Sequence, residues 1–101
     1  MKMVVDITLS TGIITPEELR KVLDAVAEAV PAGGTEGIII SGRLPVWAYG
    51  ALVHYFHPRP WVATFDPRLG GGVVVMTHVS EVAVGDVVPV GDDSETVQVV
   101  I

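Results

Sequence analysis

The chain has no cysteine. Disulfides, thiolate metal sites and cysteine nucleophiles are therefore excluded together, and the absence fits a reducing, cytoplasmic compartment. No apolar run approaches the ~18–20 residues needed to span a bilayer. Met1-Lys2 is followed by Asp6 and a polar stretch, so no signal peptide is expected either. Basic residues are few: 6 Lys and Arg stand against 12 Asp and Glu, for a net charge of −6. Such a chain lacks the basic surface that non-specific binding to long nucleic acid needs, and neither DNA nor a membrane is an expected partner. Also missing are a P-loop, an HExxH helix and a nucleophile elbow.

What is present is one domain's worth of chain: 101 residues, half of them hydrophobic, enough for a core without staples. A single domain over residues 1–101 is expected. Charge is unevenly spread. Acids fill 1–36 and 81–95, whereas Gly37–His78 holds Arg43, Arg59 and Arg68 against one acid, Asp66. All three histidines (His54, His57, His78) and all six aromatics (Trp47, Tyr49, Tyr55, Phe56, Trp61, Phe65) fall in the same window. This island suits a small anionic ligand with flat rings. Equally, the aromatics are core and the arginines solvated surface.

Met1–Ser10 reads as a strand, with Val4, Val5, Ile7 and Leu9 interrupted by polar residues. Thr15-Pro16-Glu17-Glu18 starts a helix: Thr15 caps, Pro16 takes the first position and Glu18 completes a capping box. Leu19, Val22, Leu23, Val26 and Val30 make its apolar stripe, and Pro31-Ala32-Gly33-Gly34 stops it. Gly37–Ser41 is a wholly apolar, buried type of strand. Pro45–His57 is a second helix of weaker propensity, ended by Pro58 and Pro60. Strands follow at Trp61–Phe65, Val73–Thr77, Val87–Val90 and Thr96–Ile101, separated by a loop at Asp66–Gly72, a break at Gly85-Asp86 and a turn at Gly91-Asp92-Asp93. The order predicts an α/β fold: a mixed sheet of five to six strands with two helices. It starts βαβαβ with right-handed parallel crossovers and continues with antiparallel strands. The C-terminal strand is expected inside the sheet or at a subunit interface.

In such folds ligands gather at the carboxyl ends of parallel strands. Ser41-Gly42-Arg43 lands there, with a glycine for close approach, a helix N-terminus and a guanidinium fork for phosphate; many Ser-Gly pairs are only turns. Ser10-Thr11-Gly12 offers a lesser contact of the same kind, or simply a turn. Asp66-Pro67-Arg68 falls at the same edge and is, taken alone, more often a turn with a local ion pair. His54 and His57, three apart, are expected on one helix face with Trp47 and Gly50, suited to a metal, a phosphate or proton transfer, or merely to the helix dipole. His78 ends a strand, where a lone histidine is more often a satisfied surface residue. The second helix spans about 20 Å, so Arg43, Asp66 and Arg68 are expected at one end of the sheet and His57 nearer the other. A function using all of them needs loops that fold back, or two subunits sharing a site.

The run Ile40–Trp47, then His54-Tyr55-Phe56-His57, then Val62–Gly70, then His78, with Gly85-Asp86-Val87-Val88 after it, resembles the small standalone ring nucleases of type III CRISPR systems. These are also described as manganese-dependent RNA exonucleases or deadenylases. The resemblance is close over 40–86 and extends to layout in the N-terminal third. It departs at the three glycines after Leu69 and at Thr77, where a serine is the family's residue. It implies a phosphodiesterase that linearises cyclic oligoadenylate, chiefly cyclic tetra-adenylate, with Mn²⁺. It also implies homodimers that associate further around the ligand, with binding and catalysis on opposite faces. By motif, His57, Asp66 and Arg68 are the implied catalytic residues, with His57 and Asp66 as metal ligands. Ser41, Gly42, Arg43, His54 and His78 are the implied substrate contacts. The other readings are an RNA 3′-exonuclease, a sensor or sponge that binds the ring without turnover, and a structural domain assembling through its strand edges.

Overall fold

The computed structural model describes residues 2–91 and 94–101. Met1 of the first expected strand, and Asp92 and Asp93 of the expected turn, lie outside the described residues. Strands β1 (Lys2–Thr8), β2 (Gly37–Ser41), β3 (Trp61–Asp66), β4 (Gly71–Thr77), β5 (Val87–Pro89) and β6 (Glu95–Val100) form one sheet in the order β5-β4-β3-β2-β1-β6. Helices α1 (Leu19–Ala29) and α2 (Val46–Tyr55) make the two crossovers. β1, β2, β3 and β6 run parallel, and β4 and β5 add antiparallel beyond β3. The expected α/β class, mixed sheet and two helices are all present.

β1, β2 and β3 step across the sheet in one direction, so two right-handed crossovers put both helices on one face. The period-two alternation of the strands sends Val5, Ile7, Ile38, Ile40, Val62 and Val99 to that face, against Val26, Val30, Leu52 and Phe56. On the other face Val4, Ile39, Trp61, Ala63 and Val74 form a smaller cluster, with Phe65, Val79, Val82 and Val88 packed on it. β2 is covered on both sides, which is why it reads as an unbroken apolar run. α1 is preceded by a 3-10 turn at Pro16–Glu18, where the Glu18 carboxylate accepts the Thr15 N–H at 2.9 Å. α2 ends at Tyr55, whose hydroxyl donates to the Val30 carbonyl at 2.8 Å and ties the two helix ends together.

Of the two places expected for the C-terminal strand, the interior of the sheet is excluded: β6 lies at the edge beside β1, parallel to it, with Val4 opposite Thr96 and Val5 opposite Val97. There Val97 and Val99 extend the apolar face beneath the helices. Gly71 and Gly72 belong to β4 rather than to the loop. A Cβ at Gly72 would lie 2.9 Å from Ala63 Cβ and Ile39 Cγ2, so close packing of the strand requires glycine there. β4 also bulges opposite Val62 and Ala63, leaving Val75 as the extra residue.

Candidate functional site

The carboxyl ends of β1, β2 and β3 lie side by side. Ser41 closes β2 opposite Asp6 of β1. Gly42 follows with φ +139, and a Cβ there would collide with the Ile7 carbonyl oxygen. This glycine therefore lets the loop press onto β1. The Tyr49 hydroxyl of α2 donates to the Gly42 carbonyl at 2.6 Å and fixes the loop from the helix side. Burial, and then the nearby Asp6 carboxylate, push the Tyr49 phenol above its ordinary range, so it stays a donor. Arg43 is exposed and makes no hydrogen bond or ion pair to a described residue. Two hollows meet at Gly42 and Arg43. One, of about 420 Å³, is lined by Asp6–Leu9 and Gly12; the other, of about 210 Å³, by Ser41, Tyr49, Phe65 and Pro67. The helix face thus fixes the loop, and its arginine has no partner among the described residues.

Asp66 ends β3 at the same edge. Its carboxylate accepts the Arg68 backbone N–H at 2.9 Å and two guanidinium bonds, from Nε at 3.1 Å and Nη2 at 2.8 Å. These bonds hold the Asp66 carboxyl below its ordinary range and raise Arg68. The Arg68 side chain is 86% exposed. The local turn and ion pair are therefore both present, on the surface, next to the Arg43 hollows.

His57 sits elsewhere. It was expected to share a face of the second helix with His54, but the helix ends at Tyr55 and the chain turns there, with His57 N–H donating to the His54 carbonyl at 3.2 Å. His54 instead lines a groove between the helices with Arg20, Asp24 and Tyr55. The partner of His57 is His78: ring centroids are 4.9 Å apart at 79°, and His78 Nε2 lies 2.9 Å from the His57 carbonyl oxygen. Strand pairing explains this. Trp61 pairs with Thr77, and His78 N–H then donates to the Pro60 carbonyl at 2.8 Å.

The histidine pair and the Asp66–Arg68 pair thus flank opposite ends of β3, whose six residues span about 17 Å. Ligands of one ion lie within about 2.0–2.2 Å of it. His57 and Asp66 of one chain do not fit a shared manganese ion, and no group of three or more His, Asp or Glu among the described residues could hold a metal. Ser41, Gly42, Arg43, Asp66 and Arg68 come together at one end, His57 and His78 at the other, and His54 joins neither.

Arg59, counted with the cationic island, leaves it. It is 1% exposed and clamps the loop after α1, donating to the carbonyls of Pro31 (2.7 Å), Ala32 (3.2 Å) and Glu36 (3.4 Å) and to the Glu36 carboxylate (3.3 Å). Asp6, to which the sequence did not point, lines the larger hollow, and Tyr49 of the aromatic island lines the smaller one. Asp6 enters through the register of β1 against β2, which pairs it with Ser41.

Residues 7–89 match the model of a family described as CRISPR-associated protein (Cas_csx3). An uncharacterized protein of Aquifex aeolicus (strain VF5) is 44% identical over 75 residues, which is 74% of this chain and 67% of that protein. The matched span of the family model contains every residue placed at either end of β3 except Asp6.

Proposed function

The chain belongs to the Cas_csx3 family of CRISPR-associated proteins, and on that premise we propose that it is a phosphodiesterase that linearises cyclic oligoadenylate, chiefly cyclic tetra-adenylate. The observation that carries the proposal is Arg43, exposed and without a partner among the described residues, over glycine-formed hollows at the carboxyl ends of three parallel strands. That is where α/β sheets take ligands, and its chemistry suits a phosphodiester. Ser41, Gly42 and Arg43 hold the ring. Catalysis uses His57 of one protomer, positioned by His78, beside Asp66 and Arg68 of another, because one chain holds them about a strand's length apart. His57 accepts the proton of a ribose 2′-hydroxyl. That oxygen forms a bond to the neighbouring phosphorus and the bond from phosphorus to the 5′-oxygen breaks, leaving a 2′,3′-cyclic phosphate; the 5′-oxygen takes a proton from water and leaves as a hydroxyl, and protonated His57 returns its proton to solvent. Arg68 offsets the charge of the phosphorane. Mn²⁺ is the metal that family resemblance implies; it would add charge neutralisation where His57 and Asp66 of two protomers met.

The test is incubation of radiolabelled cyclic tetra-adenylate with the protein and Mn²⁺, with and without chelator, resolved against linear standards. Chelator-sensitive linear products are expected, with His57→Ala lowering turnover by about 10²–10⁴-fold while the ring still binds. A second reading, a sponge that binds the ring without opening it, is favoured by the closure of Asp66 and Arg68 on each other. Bound but intact ring would establish it. Linear RNA trimmed from its 3′ end with the ring untouched would point to an exonuclease.

A further inference from the structure

The larger hollow at the carboxyl edge contains a residue that an anion site does not ask for. Asp6 lines it together with Arg43, Thr8 and Gly12. The carboxylate is half-buried and makes no hydrogen bond or ion pair to a described residue, Arg43 included. A naked carboxylate opposes phosphate binding, since like charges at close range repel. It favours a ligand only where the ligand brings a hydrogen-bond donor, and bonds to charged acceptors are the stronger kind. Arg43 and Asp6 in one hollow thus ask for an anion and a neutral donor held side by side.

A ribonucleotide supplies that pair on adjacent carbons, its 3′-phosphate and its 2′-hydroxyl. The 2′-hydroxyl is also the group by which a protein tells RNA from DNA. An adenine amino group is a donor too, but it is carried at the far edge of the base from the phosphate.

We propose that Asp6 accepts a hydrogen bond from a ribose 2′-hydroxyl whose neighbouring phosphate is held by Arg43, and that Asp6 is thereby the residue that selects ribose over deoxyribose at the binding end of the sheet. The proposal rests on the reading of this cleft as the ring-binding site. It concerns a ribose held at the Arg43 end and not the 2′-hydroxyl that attacks phosphorus beside His57.

The experiment measures binding of cyclic tetra-adenylate and of its fully 2′-deoxy counterpart by titration calorimetry. Chelator is present, no metal is added, and the ring is recovered after each titration to check that it is intact. Wild-type protein is expected to bind the ribose ring roughly tenfold or more tightly than the deoxy ring. Asp6→Ala loses about that factor for the ribose ring and binds the deoxy ring as well as wild type or better, because a repulsive charge is gone. Asp6→Asn, which keeps an acceptor oxygen in a neutral isostere, retains part of the preference and decides the matter should Asp6→Ala not fold. Equal wild-type affinity for the two rings overturns the proposal. So does an Asp6 variant that shifts both affinities together. A ring carrying inosine in place of adenosine separates the other donor: a loss of affinity there that vanishes in the Asp6 variants assigns Asp6 to the amino group and also overturns it. Wild-type protein that binds neither ring would refute the reading of the cleft itself.

Discussion

His78 Nε2 lies 2.9 Å from the backbone carbonyl of His57, and the two imidazoles cross at 79°. A carbonyl oxygen only accepts, so His78 Nε2 carries the hydrogen of this contact, and in the neutral ring the lone pair is then on Nδ1. Nitrogen NMR of the histidines near neutral pH is expected to show His78 as the Nε2–H tautomer. His78→Ala is expected to reduce turnover of the ring through the position of His57 and to leave ring binding intact. An Nδ1–H tautomer, or unchanged turnover, would separate the two histidines.

Gly42 and Gly50 are both glycines near the helix, and they are expected to respond oppositely to alanine. Gly42 sits at φ +139 against the Ile7 carbonyl, so Gly42→Ala should cost about 1–3 kcal/mol and displace Arg43. Gly50 is inside α2 with nothing within 4 Å of a new Cβ, so Gly50→Ala should add about 0.5–1 kcal/mol. Urea denaturation midpoints of the two variants check both signs.

Arg59 is expected to matter for stability and not for the ligand. Arg59→Ala strands the carbonyls of Pro31 and Ala32 and the Glu36 carboxylate, a loss of about 2–4 kcal/mol. Denaturation and ring binding, measured side by side, check it; weaker binding at full stability would return Arg59 to the site.

Much of the fold was legible in the residues. The helix start at Thr15–Glu18, the buried run Gly37–Ser41 and the chain break at Pro58 and Pro60 each carried a local signal, and each element formed there. The split between Arg43, Asp66 and Arg68 at one end and His57 at the other followed from a helix running back along its sheet. What was not legible depended on pairing between distant segments. The edge position of β6 beside β1, the meeting of His78 with His57, and the burial of Arg59 under Pro31–Glu36 are set by register and tertiary contact. Periodicity along the chain carries neither. Gly71 and Gly72 read as loop because glycine marks turns as well as close strand packing, and only the approach of Ile39 and Ala63 distinguishes the two.

Asp66 is expected to titrate below the ordinary aspartate range because the Arg68 guanidinium, and then the Arg68 backbone N–H, bond its ionised form. Its folded value is the lower one, so the stabilisation of the turn is complete above the unfolded-state value and is lost as pH falls through the folded one. Carboxyl-carbon NMR of wild-type protein should show this depressed titration, and Arg68→Ala should return it upward toward the ordinary range. No change in Arg68→Ala would leave the pair without electrostatic weight.

The most direct test of a site shared between protomers is complementation. His57→Ala and Asp66→Ala proteins are assayed on labelled cyclic tetra-adenylate with Mn²⁺, each alone and then mixed, with the mixture allowed to exchange subunits. Each alone is expected to be inactive and the mixture to regain ring opening, because a mixed pair restores one site with both His57 and Asp66 intact. A mixture as inactive as its components, from folded variants that bind the ring and exchange subunits, would contradict the shared site.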